Sequence, residues 1–233
     1  MHALSFAFIK NRPEEFEESL LVLKMNWKEN EGMDAAVEKM VNHALNHIKP
    51  ENKEALKKFM DENKDPQKMY GPIRSRVIIH GDYRGSNLLH RVREDGKVDI
   101  KILDLQTLQE GSPTTDLIYF IFTGSSEEFR AKYYDRLVDH YYTQLSDAMK
   151  RLNVDPEETF SRADFDYEMK EKMPFGLIVA VFLLPVVTID SENAPEVDES
   201  LSISSIATVK TSNLYPERLN GIVNDYVKWG FLK

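Results

Sequence analysis

Apolar residues recur at the helical period through much of the first sixty positions. Ala36, Val37, Met40, Val41, Ala44, Leu45 and Ile48 form one stripe, and Pro50 ends it. Ala55, Leu56, Phe59 and Met60 mark a second, shorter helix. Asp61 to Pro72 is polar and reads as a connecting loop. The period then changes. Arg76-Val-Ile-Ile79 is a short β-branched run ending at His80. The runs 88–92 and 98–103 flank Glu94-Asp-Gly-Lys97, and an Asp-Gly turn between two such runs predicts a hairpin. Past Gly111-Ser-Pro113 the helical period returns. Phe129, Tyr133, Leu137, Tyr141, Leu145, Ala148 and Leu152 make one long stripe, and Asp164 to about Thr188 makes another helix. Ser191 to Glu199 reads as an acidic linker, and Arg218 to Trp229 as a closing helix. The expectation is a mostly helical α+β chain with a small β-hairpin insert. It is read as one domain over 1–233: helical over 1–60, hairpin and loops over 76–120, and helical again over 121–233.

Composition narrows the field. The 233 residues are 42% hydrophobic and 30% charged, with ten Gly and ten Pro, which are globular proportions. The net charge of −9 disfavours nucleic acid as a partner. Without cysteine there is no disulfide framework, thiolate metal site or thiol nucleophile. The start, Met1 to Lys10, is apolar but short, lacks a basic leader and does not read as a good signal peptide. Phe175 to Ile189 falls short of the roughly 20 residues of a membrane span and is interrupted by Pro185. It reads as a buried helix, and the chain as a soluble, cytoplasmic one without a membrane partner.

The chemistry concentrates around the hairpin. His80-Gly-Asp-Tyr-Arg-Gly-Ser-Asn87 follows the first strand, and the second hairpin strand runs into Leu103-Asp104-Leu-Gln106. Two carboxylates and a carboxamide on neighbouring loops suit phosphoryl transfer. One carboxylate must orient the attacking hydroxyl, and hard oxygen ligands must hold Mg²⁺ against a triphosphate. Asp82 is the candidate base, and Asn87 and Asp104 are the candidate metal and ATP ligands. Arg84 is placed to neutralise charge on the transferring group. Gly81 and Gly85 are expected to let the backbone turn tightly around the acid.

The pattern H-G-D-x-x-x-x-N followed by D-x-Q resembles the catalytic loop and metal motif of the aminoglycoside phosphotransferase and choline kinase-like superfamily. Asp104-Leu-Gln106 and Gly111-Ser-Pro-Thr-Thr-Asp-Leu-Ile-Tyr-Phe120 are more narrowly similar to the ecdysteroid kinase-like (CHK kinase-like) group. So are His2-Ala-Leu-Ser-Phe, Asn11-Arg-Pro-Glu-Glu-Phe16 and the late apolar helix ending in Leu184-Pro185. Tyr83-Arg84 departs from that group's usual pattern and is closer to the wider superfamily. The resemblance implies the C-terminal lobe of a protein kinase-like fold, using ATP and Mg²⁺ to phosphorylate a small-molecule alcohol, sterol-like in this group. Such kinases carry a β-rich N-lobe with a phosphate-covering loop and a strand lysine. No such segment precedes residue 76, so the N-lobe is read as absent, to be completed by a missing segment or a partner chain. The alternative reading is an inactive kinase-like lobe that binds a small molecule or a protein.

Other residues have plainer expectations. His80 is expected to fix the loop by hydrogen bonding, and Gln106 to line the site or cap its loop. Asp116 is expected at a helix N-terminus, bracing the catalytic loop. His43 and His47 stand four apart but lack a third ligand, so they read as a helix face. Tyr133, Tyr134, Tyr141 and Tyr142 read as core, and the run Glu168 to Lys172 as a solvated face.

Overall fold

The computed structural model describes residues 1–23, 33–63, 69–190, 192 and 211–233. They form a mostly helical α+β structure with two small antiparallel sheets. The chain divides into two compact units, each discontinuous in sequence.

The first unit comprises Met1–Asn26, Pro66–Gly124 and Tyr133–Met173. It opens with α1 (His2–Asn11) and α2 (Pro13–Val22). Arg12 leaves the helical region between them, at φ −145°, and Pro13 starts α2 with its fixed φ and its missing donor in the one place that costs nothing. α3 (Met33–His47) and α4 (Lys53–Glu62) belong to the other unit. The expected strand is β1 (Val77–Ile79), and the expected hairpin is β2 (Leu88–Val92) with β3 (Val98–Ile102), registered Leu88 opposite Ile102 and Val92 opposite Val98. A further strand, β4 (Gln109–Gly111), pairs antiparallel with β1, Val77 facing Gly111 and Ile79 facing Gln109. Its sequence has no β-branched residue, so only the partner strand makes it extended. Gly111 is required there, because a Cβ would lie 2.5 Å from Ile79 Cδ1 and 2.6 Å from the Tyr70 carbonyl.

Next come α5 (Pro113–Gly124), α6 (Glu127–Arg151), the single turn α7 (Pro156–Thr159) and α8 (Arg162–Val187). Ser112 caps α5, its hydroxyl accepting from the Thr114 N–H at 3.2 Å. The buried line of α6 is Val138, Tyr142, Leu145 and Met149, one position on from much of the expected stripe, and Phe129 is exposed. Phe6, Phe160 and Phe165 form an aromatic core with Tyr142, ring centroids 5.1–6.2 Å apart.

The run Glu168 to Lys172 is not a solvated face. Glu168 is 0% and Lys172 2% exposed. Glu168 accepts the backbone N–H groups of Arg74 (2.8 Å) and Ser75 (2.6 Å) and the hydroxyls of Ser75 and Ser112. Lys172 donates to the carbonyls of Met69 (2.9 Å) and Gly71 (2.7 Å). The two residues are four apart on one helix face and satisfy the backbone of the segment leading into β1. Burial pushes the Lys172 ammonium down to about 8, with the Glu168 charge partly offsetting it.

The second unit comprises Trp27–Asp65, Ser125–Lys132 and Pro174–Lys233, and includes α9 (Leu214–Lys228). Ala36, Met40, Ala44 and Ile48 are buried as the periodicity predicts, as are Leu56, Phe59, Met60, Leu219, Ile222 and Tyr226. His43 stacks on Tyr215 at 5.3 Å, which explains the pair at 43 and 47 as packing. Arg130 is buried and donates to Asp225 Oδ2 at 2.6 Å and to the Ser125 carbonyl at 2.7 Å. The helix continues through Pro185 to Val187, and Leu177, Ile178, Val181 and Leu184 are buried. Among the described residues no helix is long and apolar enough to cross a membrane. The expected acidic linker falls, apart from Glu192, outside the described residues.

Candidate active site

All of the candidate site lies in the first unit. β1 delivers His80 to its end, and there the chain turns sharply. Gly81 has φ +80°, and a Cβ would sit 2.5 Å from the Thr107 carbonyl oxygen and 2.9 Å from Gln109 Nε2. Both conformation and space therefore demand glycine. Gly85 differs from expectation: it has no positive φ and no neighbour within 4 Å of a Cβ position.

The loop is bolted down on three sides. Asp116, in the first turn of α5, accepts the His80 N–H on Oδ2 at 2.7 Å and the Gly81 N–H on Oδ1 at 3.0 Å. His2 Nε2 approaches the same Oδ2 at 3.1 Å, while its Nδ1 lies 2.6 Å from the Tyr141 hydroxyl. The buried His80 ring holds two backbones at once: Nε2–H donates to the Leu103 carbonyl at 2.8 Å, and Nδ1 accepts the Asp82 N–H at 3.3 Å. Thr107 donates its hydroxyl to the His80 carbonyl at 2.8 Å.

Asp82, part-buried, collects donors. Tyr119 donates its hydroxyl to Oδ1, and Asn87 Nδ2 donates to Oδ2 at 2.9 Å and to the Asp82 carbonyl at 2.8 Å. Arg84 Nε bridges both oxygens at 3.1 and 3.2 Å. The Asp82 carboxylate stabilises the neutral Tyr119 phenol, and burial does so more strongly, so the phenol's pKa is raised far above its ordinary value. Burial and the Asp82 and Asp116 charges likewise raise Tyr70. Both phenols are donors at neutral pH, not bases.

Asp104 reaches the site through the hairpin. The Leu103 N–H donates to the Asn87 carbonyl at 2.8 Å, extending the β2–β3 ladder by one pair and setting Asp104 just beyond Asn87. Asp104 adopts a left-handed conformation, φ 59° and ψ 63°, which costs energy for any residue with a Cβ and is tolerated best by Asn and Asp. Its carboxylate is exposed and makes no hydrogen bond among the described residues. Gln106, on the short turn Leu105–Thr107, is also exposed and bonds to none of the others.

The donor set fits Mg²⁺. Asn87 commits its amide nitrogen to Asp82, leaving its side-chain oxygen as an acceptor, and the Asp104 carboxylate is unengaged. One carboxylate and one neutral oxygen leave the remaining positions for phosphate and water, as this ion prefers. Among the described residues no group of three or more His, Asp or Glu side chains forms a closed metal cage.

The model of the ecdysteroid kinase-like family matches residues 1–154, which include every residue of this site. The chain belongs to the ecdysteroid kinase-like family. Membership points to kinase-like phosphotransfer, and a kinase-like family implies the use of ATP, usually with Mg²⁺. Neither the curated proteins nor the solved structures gave a match.

The sequence reading gave no site role to Tyr119, His2 or Thr107, although Tyr119 and His2 lie within the family-like runs 111–120 and 2–6. Tyr119 had a signal: it stands three residues after Asp116, so one face of α5 presents both to the loop. His2 and Thr107 come from distant segments, and their contacts exist only in the folded chain.

Proposed function

We propose that residues 1–233 are the C-terminal, catalytic-loop-bearing lobe of a kinase that transfers the γ-phosphoryl group of ATP to a small-molecule alcohol. The observation that carries this reading is the Asp82 carboxylate. It is held by Tyr119, Arg84 and Asn87 on a loop whose neighbour, through Leu103, places Asp104 beside Asn87. Asp82 would accept a hydrogen bond from the acceptor hydroxyl and orient it in line with the γ-phosphorus. As the hydroxyl oxygen bonds to phosphorus, the bond to the bridging oxygen breaks, ADP leaves and the hydroxyl proton passes to Asp82. Arg84 would stabilise charge on the transferring group. Mg²⁺ held by the Asn87 side-chain oxygen and the Asp104 carboxylate would neutralise the phosphates. His80, Gly81 and Asp116 keep Asp82 in place, which is the positioning on which phosphoryl transfer mainly depends. A second lobe, from the same or another polypeptide, would complete the nucleotide site, and a sterol-like acceptor is the family's suggestion.

The test is transfer from γ-labelled ATP to a panel of alcohols that includes sterols, with Asp82→Ala as the control. Label transfer that is lost in the control supports the reading, and no transfer to any acceptor at millimolar ATP opposes it.

One observation favours the second reading, a binding module. Hairpin residues Val92, Val98 and Ile100, which share one face, are 53–64% exposed, an apolar surface of the kind partners cover. An Asp104→Ala chain that keeps its ligand affinity would favour that reading.

A further inference from the structure

A carboxylate offers about four lone-pair positions. Three donors stand against Asp82: the Tyr119 hydroxyl on Oδ1, an Asn87 amide N–H on Oδ2, and the one Arg84 Nε–H, which lies between the two oxygens and so obstructs the position left on each. An acceptor hydroxyl can bond to it only if a donor leaves. Tyr119 is buried on α5, and Asn87 is buried and tied by the same amide to the Asp82 carbonyl. Arg84 makes the longest contacts, at 3.1 and 3.2 Å, and has the more exposed side chain of the ion pair, 28% against 20%. Only its Nε is engaged. Both Nη groups are without a hydrogen bond among the described residues, so most of the guanidinium fork remains available.

We infer that Arg84 is a latch: in the unliganded protein it occupies the acceptor position on Asp82, and nucleotide phosphate draws it away and opens that position to the acceptor hydroxyl. This inference rests on the phosphotransfer reading and adds an order to it. The base is masked until the phosphoryl donor is bound, so nucleotide enters first. Asp82 and the nucleotide phosphates compete for one cation, and the competition is reciprocal in free energy.

The consequence is measurable without knowing the acceptor. Asp82→Asn weakens the hold on Arg84, so MgATP should bind more tightly by about tenfold, the lower range for a charged hydrogen bond. Arg84→Met should weaken MgATP binding. In the Arg84→Met background the Asp82→Asn change should alter affinity by less than about twofold, which separates the latch from simple repulsion between Asp82 and phosphate. Calorimetric titration of the four proteins with MgATP measures the cycle. The Arg84 Nε–H proton resonance supplies a second measurement in the unliganded chain: it should be protected from exchange in the wild type and lost on Asp82→Asn. Tightening with Arg84 present and not without it supports the latch, as does binding by Asp82→Asn where the wild type binds too weakly to detect. Equal effects in both backgrounds, or an unprotected Nε–H, overturn the latch and leave the phosphotransfer reading standing. No binding by any of the four overturns both.

Discussion

Asp116→Ala is the perturbation that most directly tests how the loop that carries Asp82 is held. The carboxylate accepts two buried backbone N–H groups, from His80 at 2.7 Å and Gly81 at 3.0 Å, besides the contact from His2. Removing it strands both backbone donors in a place closed to water, since His80 and Gly81 are themselves buried. Each stranded donor costs about 1–3 kcal/mol, so the expected destabilisation is about 2–6 kcal/mol. That is a large fraction of the roughly 5–15 kcal/mol that holds a domain folded. Urea unfolding at neutral pH reads the total. Amide hydrogen exchange reads the cause: the His80 and Gly81 amides should lose protection, by on the order of a hundredfold, while those of α1 keep theirs relative to global stability. A loss below about 1 kcal/mol, or unchanged protection at 80 and 81, would refute the argument that this acid braces the loop.

Two further predictions concern the same unit. Gly81→Ala forces a Cβ to within 2.5 Å of the Thr107 carbonyl oxygen at φ +80°, and should cost about 3 kcal/mol or more, read as a fall in Tm; a change within about 0.5 kcal/mol would contradict it. Lys172 titrates near 8 when folded against 10.5 for a free lysine, so between these values the unfolded chain binds the extra proton and stability rises with pH. The unfolding free energy of the wild type relative to Lys172→Met should therefore climb by roughly 2 kcal/mol from pH 8 to pH 10, and a flat difference would place the lysine in water.

The helices and the hairpin were legible in the sequence because their signals are local. The stripe from Ala36 to Ile48 needs no partner to be read, and the Asp-Gly turn fixes its own hairpin. β4 was not legible, since Gln109, Glu110 and Gly111 become a strand only against β1. Glu168 and Lys172 were misread for a related reason. A charge pair looks like a solvated face until the folded chain brings the unpaired backbone of 69–75 against it. At the site, spacing picked out Asp82, Asn87 and Asp104, because a strand end and a hairpin end are sequence features. The state of Arg84 was not readable: a cation beside an acid suits phosphate or the acid equally, and the folded chain puts it on Asp82. Tyr119 follows from helical spacing after Asp116, a signal present in the run 111–120 to which the sequence reading gave no site role.

The central claim is that the loop around Asp82 and the hairpin end at Asp104 form a metal–nucleotide half-site. The most direct measurement is calorimetric titration of residues 1–233 with ATP, with and without Mg²⁺, beside Asp104→Ala. The account predicts binding that requires Mg²⁺ and is lost in the variant. Binding that ignores both the metal and Asp104, or none at millimolar nucleotide even with Asp82→Asn, would contradict it.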